Sequence, residues 1–217
     1  MFGRNENTVG ISIGFSHNQQ ITYSATKMLN IVIFGGPGSG KSTQSELIIQ
    51  KHGLEHISTG NVLRDEIKNQ TELGKIAEEY ISKGQLVPDE LIIDMLAQVL
   101  DKVKDSKGIL LDGFPRTIPQ GEALNKILQE RGKKIHAVLS LDVEDEELIE
   151  RLLERGKISG RSDDNLDTIV SRLKVYHNQT KPLKKFYSKH GCLTSIAGTG
   201  TIDEIHERII ETIEKVK

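Results

Sequence analysis

The segment GGPGSGKST at residues 35–43 satisfies the pattern G-x-x-x-x-G-K-[ST] at every fixed position. Residues 29–34, which precede it, are apolar and rich in β-branched side chains, as is typical of a buried parallel strand. Residues 44–49, which follow it, begin a helical pattern. The sequence therefore predicts a strand, a glycine loop and a helix start, which is the structural context that this pattern needs.

Glycines in such a loop let the backbone come close to a bound group. Successive backbone N–H groups at a helix N-terminus form a concavity that binds polyphosphate, and side chains would hold the phosphate away. Lys41 would place a cation on the outer phosphates, and the hydroxyl of Ser42 or Thr43 would bind Mg²⁺ directly or through water. The alternative is a glycine-rich turn with a chance lysine, which the flanking strand and helix patterns disfavour.

Composition argues against several kinds of partner. The chain has 217 residues, which suits one domain with inserts, and its 28% charged residues leave a net charge of -2. Such a balance gives no basis for a nucleic-acid or membrane partner. Cys192 is the single cysteine, so we expect a reducing compartment and a cytoplasmic protein. The seven histidines are scattered, so we expect no zinc site, which would need clustered Cys or His ligands.

Residues 1–27 differ from the rest of the chain. They contain one acidic residue, Glu6, several Ser, Thr, Asn and Gln residues, and no long apolar run. This composition partly suits an organellar transit peptide, but Arg4 and Lys27 are the only strongly basic residues and amphipathic periodicity is weak. We therefore expect a disordered N-terminal extension, with Met28 as the first residue of the domain.

From Met28 onwards the apolar patterns alternate between strands and helices, which predicts a parallel sheet covered by helices on both faces. Residues 58–87 contain short helical patterns with few large apolar residues, so we expect an insert that packs on the domain from outside.

A helix over residues 145–155 should end in a short connection at 156–160. Residues 163–190 should form one long or kinked helix, with Pro182 at the bend. Strands are predicted at residues 29–34, 55–57, 108–112, 136–141 and 192–196.

Charged residues at the ends of these elements indicate the chemistry. Asp112 ends the third predicted strand, which would bring its carboxylate to Mg²⁺ beside the glycine loop. Arg155, Arg161 and Arg172 bracket one short turn. A reaction between two bound phosphate esters needs several such cations, because two anions must be brought together against their repulsion. A solvated helix face would explain any one of these arginines, but not their concentration.

Four motifs together resemble the adenylate kinase family, in particular its short-lid bacterial type. The resemblance runs from Met28 nearly to the C-terminus. The matching segments are GPGSGK at 36–41, STG at 58–60 with Leu63 and Arg64, DGFPRT at 112–117 with Gln120, and RSDD at 161–164 with Arg172.

The resemblance implies an α/β fold, a P-loop NTPase core with a five-stranded parallel sheet flanked by helices. It also implies a helical insert that binds the nucleoside monophosphate and a short lid. The implied domain comprises a core at 28–57 and 88–217, the insert at 58–87 and a reduced lid at 155–161.

The resemblance further implies reversible, Mg²⁺-dependent transfer of the ATP γ-phosphoryl group to AMP, giving two ADP, by a monomeric enzyme. The acceptor is already an anionic phosphate, so alignment and charge stabilisation would suffice without a nucleophilic side chain or a general base. The implied ATP-binding residues are Gly38, Ser39, Gly40, Lys41, Ser42, Thr43, Arg151, Arg155 and Gly200. The implied AMP-binding residues are Thr59, Arg64, Gln85, Leu86, Val87, Gly113, Phe114, Pro115, Arg116, Gln120, Arg161 and Arg172. The implied catalytic residues are Lys41, Arg116, Arg155, Arg161 and Arg172, with Mg²⁺ held at Ser42, Thr43 and Asp112 through water.

The chain departs from the family pattern at three places. Asn61 stands where the family usually has aspartate, which removes a negative charge near the phosphates. Ser42 puts a side chain where the family usually has glycine. The lid is reduced to residues 156–160, so a zinc-bearing lid is not expected.

Two alternatives stay open from the sequence. A UMP or CMP kinase would share these motifs, but Thr59 and Gln120 favour AMP, and one hydrogen-bonded group in a pocket can set the choice of base. A non-catalytic nucleotide-binding module would accommodate Asn61 and Ser42, whereas the complete set of arginines argues against it.

Overall fold

A parallel sheet of five strands forms the centre of the molecule, as the sequence predicts. The computed structural model describes residues 28–159, 161 and 163–216. The strands are β1 (Leu29–Gly35), β2 (Glu55–Ser58), β3 (Gly108–Asp112), β4 (Ala137–Asp142) and β5 (Leu193–Ala197). Strand order is β2-β3-β1-β4-β5, and every neighbouring pair is parallel.

Helices cover both faces of the sheet. Alternate residues of β1 point to opposite faces: Ile31 and Ile33 pack in one hydrophobic cluster with α1 and α9, and Val32 and Phe34 in another with α4, α5 and α8. The helices are α1 (Lys41–His52), α2 (Thr59–Lys68), α3 (Glu72–Ile81), α4 (Asp89–Lys102), α5 (Ile118–Glu130), α6 (Asp145–Ser159), α7 (Leu166–Val175), α8 (Leu183–Lys189) and α9 (Ile202–Glu214).

The insert at residues 58–87 corrects one expectation. The insert contains two short helices, α2 and α3, as expected, but some of its residues pack into the core of the domain and not only on its outer surface. Leu63, Ala77 and Val87 are buried in the same hydrophobic cluster as Phe34 of the central strand. The insert has few apolar residues, but α2 and α3 are amphipathic and place these residues on one face, so they can still join the core.

The prediction that the sixth helix ends at Arg155 is also wrong. Helix α6 continues through Gly156 to Ser159, so the predicted connection is mostly its last turn. A side chain on Gly156 would come within 2.9 Å of the Asp164 carbonyl oxygen, so the glycine serves close packing rather than a turn. Gly160 and Ser162 lie outside the described residues.

The long segment after this turn is kinked, as predicted. Helix α7 continues into a π-helical turn, Tyr176–Thr180, before α8 begins at Leu183 beyond Pro182. Such π turns frequently occur at functional sites, because they shift the face that a helix presents. The prediction for residues 1–27 falls outside the described part of the chain. Within that part, no helix combines the length and apolar character needed to cross a bilayer.

Candidate active site

The glycine loop joins the carboxyl end of β1 to the N-terminus of α1. Gly38 and Gly40 have φ values of 85° and 87°, which favour glycine. Gly40 is the N-cap of α1, and no side chain caps that terminus. The first backbone N–H groups of α1 are therefore left for an external acceptor, as in sites that bind phosphate.

Lys41 folds back onto this loop. Its ammonium group donates to the carbonyl oxygens of Gly35 and Gly36, at 3.1 and 2.9 Å, and to Ser39 Oγ at 3.4 Å. Burial lowers the pKa of Lys41 to about 8; nearby Asp112 opposes the shift and neighbouring arginines add to it. A bound phosphate would supply the anion that this cation lacks.

Asp112 ends β3 directly beside the loop, as the sequence predicts. Ser42 Oγ donates to its Oδ2 atom at 2.9 Å, and His56 Nε2 lies 3.8 Å from the same oxygen. Burial raises the pKa of Asp112, but His56, Lys41 and Ser42 outweigh burial and hold it below its usual range. The carboxylate is therefore ionised and available to a cation.

The oxygen donors at this point fit Mg²⁺, which commonly binds one or two carboxylates together with substrate phosphates. Asp112 supplies the carboxylate and Ser42 a hydroxyl beside it. Among the described residues, no three His, Cys, Asp or Glu side chains gather as a metal cage. The donor set thus suits an ion that arrives with a nucleotide.

Arg116 is fixed from three sides. Its Nε atom donates to the Gly113 carbonyl at 2.7 Å, its backbone N–H donates to Gln120 Oε1 at 2.8 Å, and its carbonyl accepts from Thr180 Oγ1 at 2.8 Å. Burial, followed by the charge of Arg172, lowers the pKa of its guanidinium, which nevertheless stays charged. No carboxylate ion pair forms with Arg116 within the described chain.

Arg155 and Arg172 share a carboxylate. Asp164 accepts two hydrogen bonds of 2.7 Å from Arg155 and one of 2.8 Å from Arg172, and Asp163 lies 2.9 Å from Arg172. Burial raises the pKa of Asp164, but both arginines outweigh burial and hold it below its usual range. Two residues of the RSDD segment at 161–164 thus align two predicted catalytic cations.

Arg64 completes the positive surface. Burial, and then the charge of Arg161, lowers the pKa of the Arg64 guanidinium, so these two predicted residues lie near each other. Arg64 Nη2 donates to Asn61 Oδ1 at 2.5 Å. We call Arg64, Arg116, Arg155, Arg161 and Arg172 the arginine cluster.

A single cleft, which we call the central cleft, brings most of the predicted residues together between the glycine loop, the insert and α7. Ten of the twelve predicted AMP-binding residues line it, together with Lys41; Phe114 and Arg161 do not. Phe114 is instead buried in the hydrophobic core. The predicted residues on its wall are Lys41, Thr59, Arg64, Gln85, Leu86, Val87, Gly113, Pro115, Arg116, Gln120 and Arg172.

Arg151, Arg155 and Gly200 of the predicted ATP-binding residues are not on the wall of the central cleft. Arg151 and Arg155 line an open groove on α6 with Ile158. Arg151 pairs with Glu147 and donates to the Gly198 carbonyl at 3.1 Å, which connects this groove to the turn that contains Gly200. Gly200 itself is exposed in that turn.

The insert contacts α7 across the central cleft. Ser171 Oγ donates to the Lys83 carbonyl at 2.8 Å. Gly84, with a φ of 69°, lies so close that a Cβ atom would come within 2.8 Å of the Thr168 carbonyl and 3.0 Å of the Arg172 side chain. Only glycine allows this close approach.

Sequence reasoning missed several polar residues that position the site. In the sequence, Asp164 stands out only as part of the RSDD motif, His56 is one of the scattered histidines, and nothing gives Thr180 or Asp89 a role at the site. The position of Thr180 just before Pro182, in the predicted bend, is the sequence signal that could have indicated it. In the structure its side chain is buried. Asp89 and His56 depend on contacts distant in sequence, whereas Asp164 pairs with arginines 8 and 9 positions away.

Comparison with known proteins agrees with this geometry. A sequence profile described as adenylate kinase matches residues 33–192. Adenylate kinase from Parabacteroides distasonis is 66% identical over 190 residues, covering 88% of this chain and all of the relative. The Bacteroides fragilis enzyme is 60% identical over 187 residues, or 86% of this chain and 99% of the relative. The Porphyromonas gingivalis enzyme is 55% identical over 190 residues, which cover 88% of this chain and 98% of the relative.

These matches do not favour a pyrimidine kinase or a non-catalytic module. They extend over the glycine loop, the insert and the arginine cluster. The chain therefore belongs to the adenylate kinase family of nucleoside monophosphate kinases, which are phosphotransferases.

Proposed function

We propose that this chain catalyses reversible, Mg²⁺-dependent transfer of the γ-phosphoryl group from ATP to AMP, with two ADP as products. One observation carries the proposal: Lys41, Arg116 and Arg172 line one cleft, between the glycine loop and the insert. Such a cleft suits two anionic nucleotides that meet end to end.

ATP would bind with its phosphates on the glycine loop and the N-terminus of α1. The uncapped N–H groups of α1 would donate to the phosphate oxygens, and Lys41 would exchange its bonds to Gly35 and Gly36 for the outer phosphates. The adenosine would lie towards the groove of Arg151 and Arg155, beside the turn at Gly200. Ser39, Thr43 and the loop glycines complete this half.

AMP would occupy the half of the central cleft formed by the insert and the segment 113–120. Arg64 and Arg116 would bind its phosphate, with Arg161 and Arg172 between the two nucleotides. Thr59 donates to the Gly113 carbonyl at 2.9 Å, which ties the insert to this wall. Gln120 and residues 85–87 would surround the adenine.

Mg²⁺ would be held by Asp112 and Ser42, with Thr43 nearby, through water and the phosphates. When bound, the ion neutralises charge on the phosphate oxygens. The protein groups then need only align the acceptor phosphate with the γ-phosphoryl group, and alignment alone supplies up to about 7–11 kcal/mol of barrier lowering.

Water must be kept out, because it would otherwise accept the phosphoryl group. We propose that residues 58–87 act as the mobile AMP-binding insert and residues 155–161 as a reduced lid that closes over the phosphates. With so short a lid, the arginine cluster itself would exclude much of the water.

We also propose a cytoplasmic monomer. The single cysteine, which is partly buried, supports a reducing compartment without disulfides. Size-exclusion chromatography with light scattering tests the oligomeric state, for which we expect a mass near 24.2 kDa.

A coupled assay with ATP and Mg²⁺ tests the function. AMP, UMP and CMP are offered separately as acceptors, and ADP formation is followed. We expect rapid turnover with AMP and weak turnover with UMP and CMP. Preferred use of UMP or CMP would contradict the assignment of the acceptor, and nucleotide binding without turnover would show a non-catalytic module.

A further inference from the structure

Asp89 has no contact with the phosphate-binding groups, yet it lies directly behind Gln120. Its Oδ1 atom accepts a hydrogen bond of 2.7 Å from Gln120 Nε2, and its Oδ2 atom accepts one of 2.9 Å from Thr117 Oγ1. Asp89 begins α4, immediately after the insert returns to the core at Pro88. Thr117 in turn caps α5 by accepting from the Gln120 backbone N–H at 3.3 Å.

Gln120 is held between two partners of opposite character. The backbone N–H of Arg116 is a donor only, so the amide atom that faces it at 2.8 Å must be the oxygen. The Asp89 carboxylate is an acceptor, so the atom that faces it at 2.7 Å must be the nitrogen. Rotating the amide by half a turn would bring two donors together on one side and two acceptors on the other. Both partners therefore specify the same orientation of Gln120.

This orientation determines what Gln120 offers to a ligand. Gln120 is buried and lies on the wall of the central cleft. One of its two amide hydrogens is used by Asp89, and the described residues supply no acceptor for the other. One amide hydrogen of Gln120 therefore remains as an N–H donor for a ligand.

We propose that Asp89 is a specificity-determining residue: by fixing the Gln120 amide as a hydrogen-bond donor, it selects a base that presents an acceptor at that point. The inference rests on the proposed position of AMP. Adenine presents the unprotonated N1 atom, which accepts, whereas hypoxanthine presents an N1–H donor. Asp89 acts through Gln120 and is a positioning residue, without contact to the reacting phosphates.

AMP and IMP make a sharp pair of probes, because they have the same sugar and phosphate and differ in this edge of the base. The experiment measures kcat/KM for AMP and for IMP, at saturating ATP and Mg²⁺, in the full chain and its variants. In Asp89→Leu, Gln120 is held only by Arg116 and can rotate to accept. We expect the ratio of AMP to IMP efficiency to fall by about tenfold or more, the effect of losing a hydrogen bond to a charged group. The KM for ATP should stay unchanged.

Two further variants separate this role from a structural one. Asn at position 89 keeps a carbonyl oxygen that can accept from Gln120, so Asp89→Asn should retain most of the AMP preference. Glu90→Ala removes an exposed carboxylate from the same helical turn and should leave the ratio at the wild-type value. In a Gln120→Leu background, Asp89→Leu should not change the ratio further, because the two residues act in series.

An unchanged ratio in Asp89→Leu, whatever its overall activity, would overturn the inference. If Asp89→Leu does not fold, Asp89→Ser takes its place, because serine is favourable at a helix N-terminus and is too short to reach Gln120. A wild-type enzyme that uses IMP as well as AMP would reject the position of the base itself, and that result is distinguishable from a failure of Asp89 alone. A wild-type enzyme that transfers to neither would reject the proposed function.

Discussion

The glycine loop and the arginine cluster both prepare a site for negative charge, but they do so by different means. The loop uses the backbone of one continuous segment, with Lys41 bonded to the carbonyls of Gly35 and Gly36. The arginine cluster uses side chains from α2, the segment after β3, α6, α7 and the turn before α7. One half of the site is built locally, and the other exists only once the chain has folded.

The two halves also differ in how their charges are held before a nucleotide binds. Arg155 and Arg172 are paired with Asp164 and Asp163, whereas Lys41 and Arg116 are held by backbone carbonyls. A carbonyl positions a cation without neutralising it, so the attraction for phosphate remains. An ion pair positions a cation more firmly but reduces its net charge. We therefore expect Lys41 and Arg116 to bind phosphate most strongly, and Arg155 and Arg172 to supply geometry.

The largest expected effect comes from removing the two cations that carbonyls hold. Lys41→Met and Arg116→Ala should each lower kcat by about a hundredfold or more, because each cation stabilises charge that develops in the transition state. Steady-state assays measure the loss, and thermal unfolding checks the fold. Arg131→Ala, which removes an arginine paired with Asp101 away from the cleft, is the control. Wild-type turnover in either test variant would remove its residue from the mechanism.

A smaller effect should follow from breaking the shared ion pair. Asp164→Asn leaves Arg155 without its carboxylate and Arg172 with Asp163 alone, and we expect a loss of about 1–3 kcal/mol in the free energy of unfolding, discounted because both arginines are partly exposed. Denaturant titration at neutral pH measures this loss. Asp94→Asn, on an exposed position of α4, should have no comparable effect.

The same variant has a defined pH dependence. The folded-state pKa of Asp164 is lower than in the unfolded chain, so its contribution to stability is present above the unfolded value of about 4 and is lost as pH falls through the folded value. The difference between wild type and Asp164→Asn should therefore be full at neutral pH and should shrink in acid. A difference that stays constant into strong acid would contradict the ionic role of Asp164.

Thr180 tests whether the Arg116 backbone must be held in place. Thr180→Val keeps the shape of the side chain but removes the hydroxyl that donates to the Arg116 carbonyl at 2.8 Å. We expect kcat/KM for AMP to fall by about five- to tenfold, which is the effect of losing one neutral hydrogen bond. The KM for ATP should stay unchanged. Thr180→Ser restores the hydroxyl and should restore most of the efficiency. Equal losses for AMP and ATP would indicate a general defect of the fold.

The smallest effect is expected at Asn61. This side chain is exposed and accepts from Arg64 at 2.5 Å. Asn61→Asp would turn that bond into an exposed ion pair, which is worth at most about 1 kcal/mol. We expect kcat to be equal to the wild-type value or slightly higher. A large loss would show that the charge of Arg64 must stay uncompensated, as that of Arg116 is.

The sequence predicted the locally built half of the site more completely than the other half. The glycine loop, Lys41 and Asp112 follow from one motif and from where the strands end. Arg155, Arg161 and Arg172 are expected from their concentration around one short turn and the whole arginine cluster from the resemblance, but the residues that support the cluster are not. Asp89 and Thr180 contact residues 31 and 64 positions away, and no local pattern records such contacts. Helix α6 was predicted too short because Gly156 suggests an end, whereas the glycine only makes room for Asp164.

The contact between the insert and α7 bears on how hydrolysis of ATP would be prevented while no acceptor is bound. Ser171, which bonds to the Lys83 carbonyl, and Arg172, which Gly84 covers, are adjacent on one helix. Outward displacement of the insert would break the first contact and hydrate the second side chain in the same movement. We therefore expect Arg172 to be shielded from solvent only while the insert contacts α7, so that dehydration of a transferring group would depend on occupancy of the AMP half of the cleft.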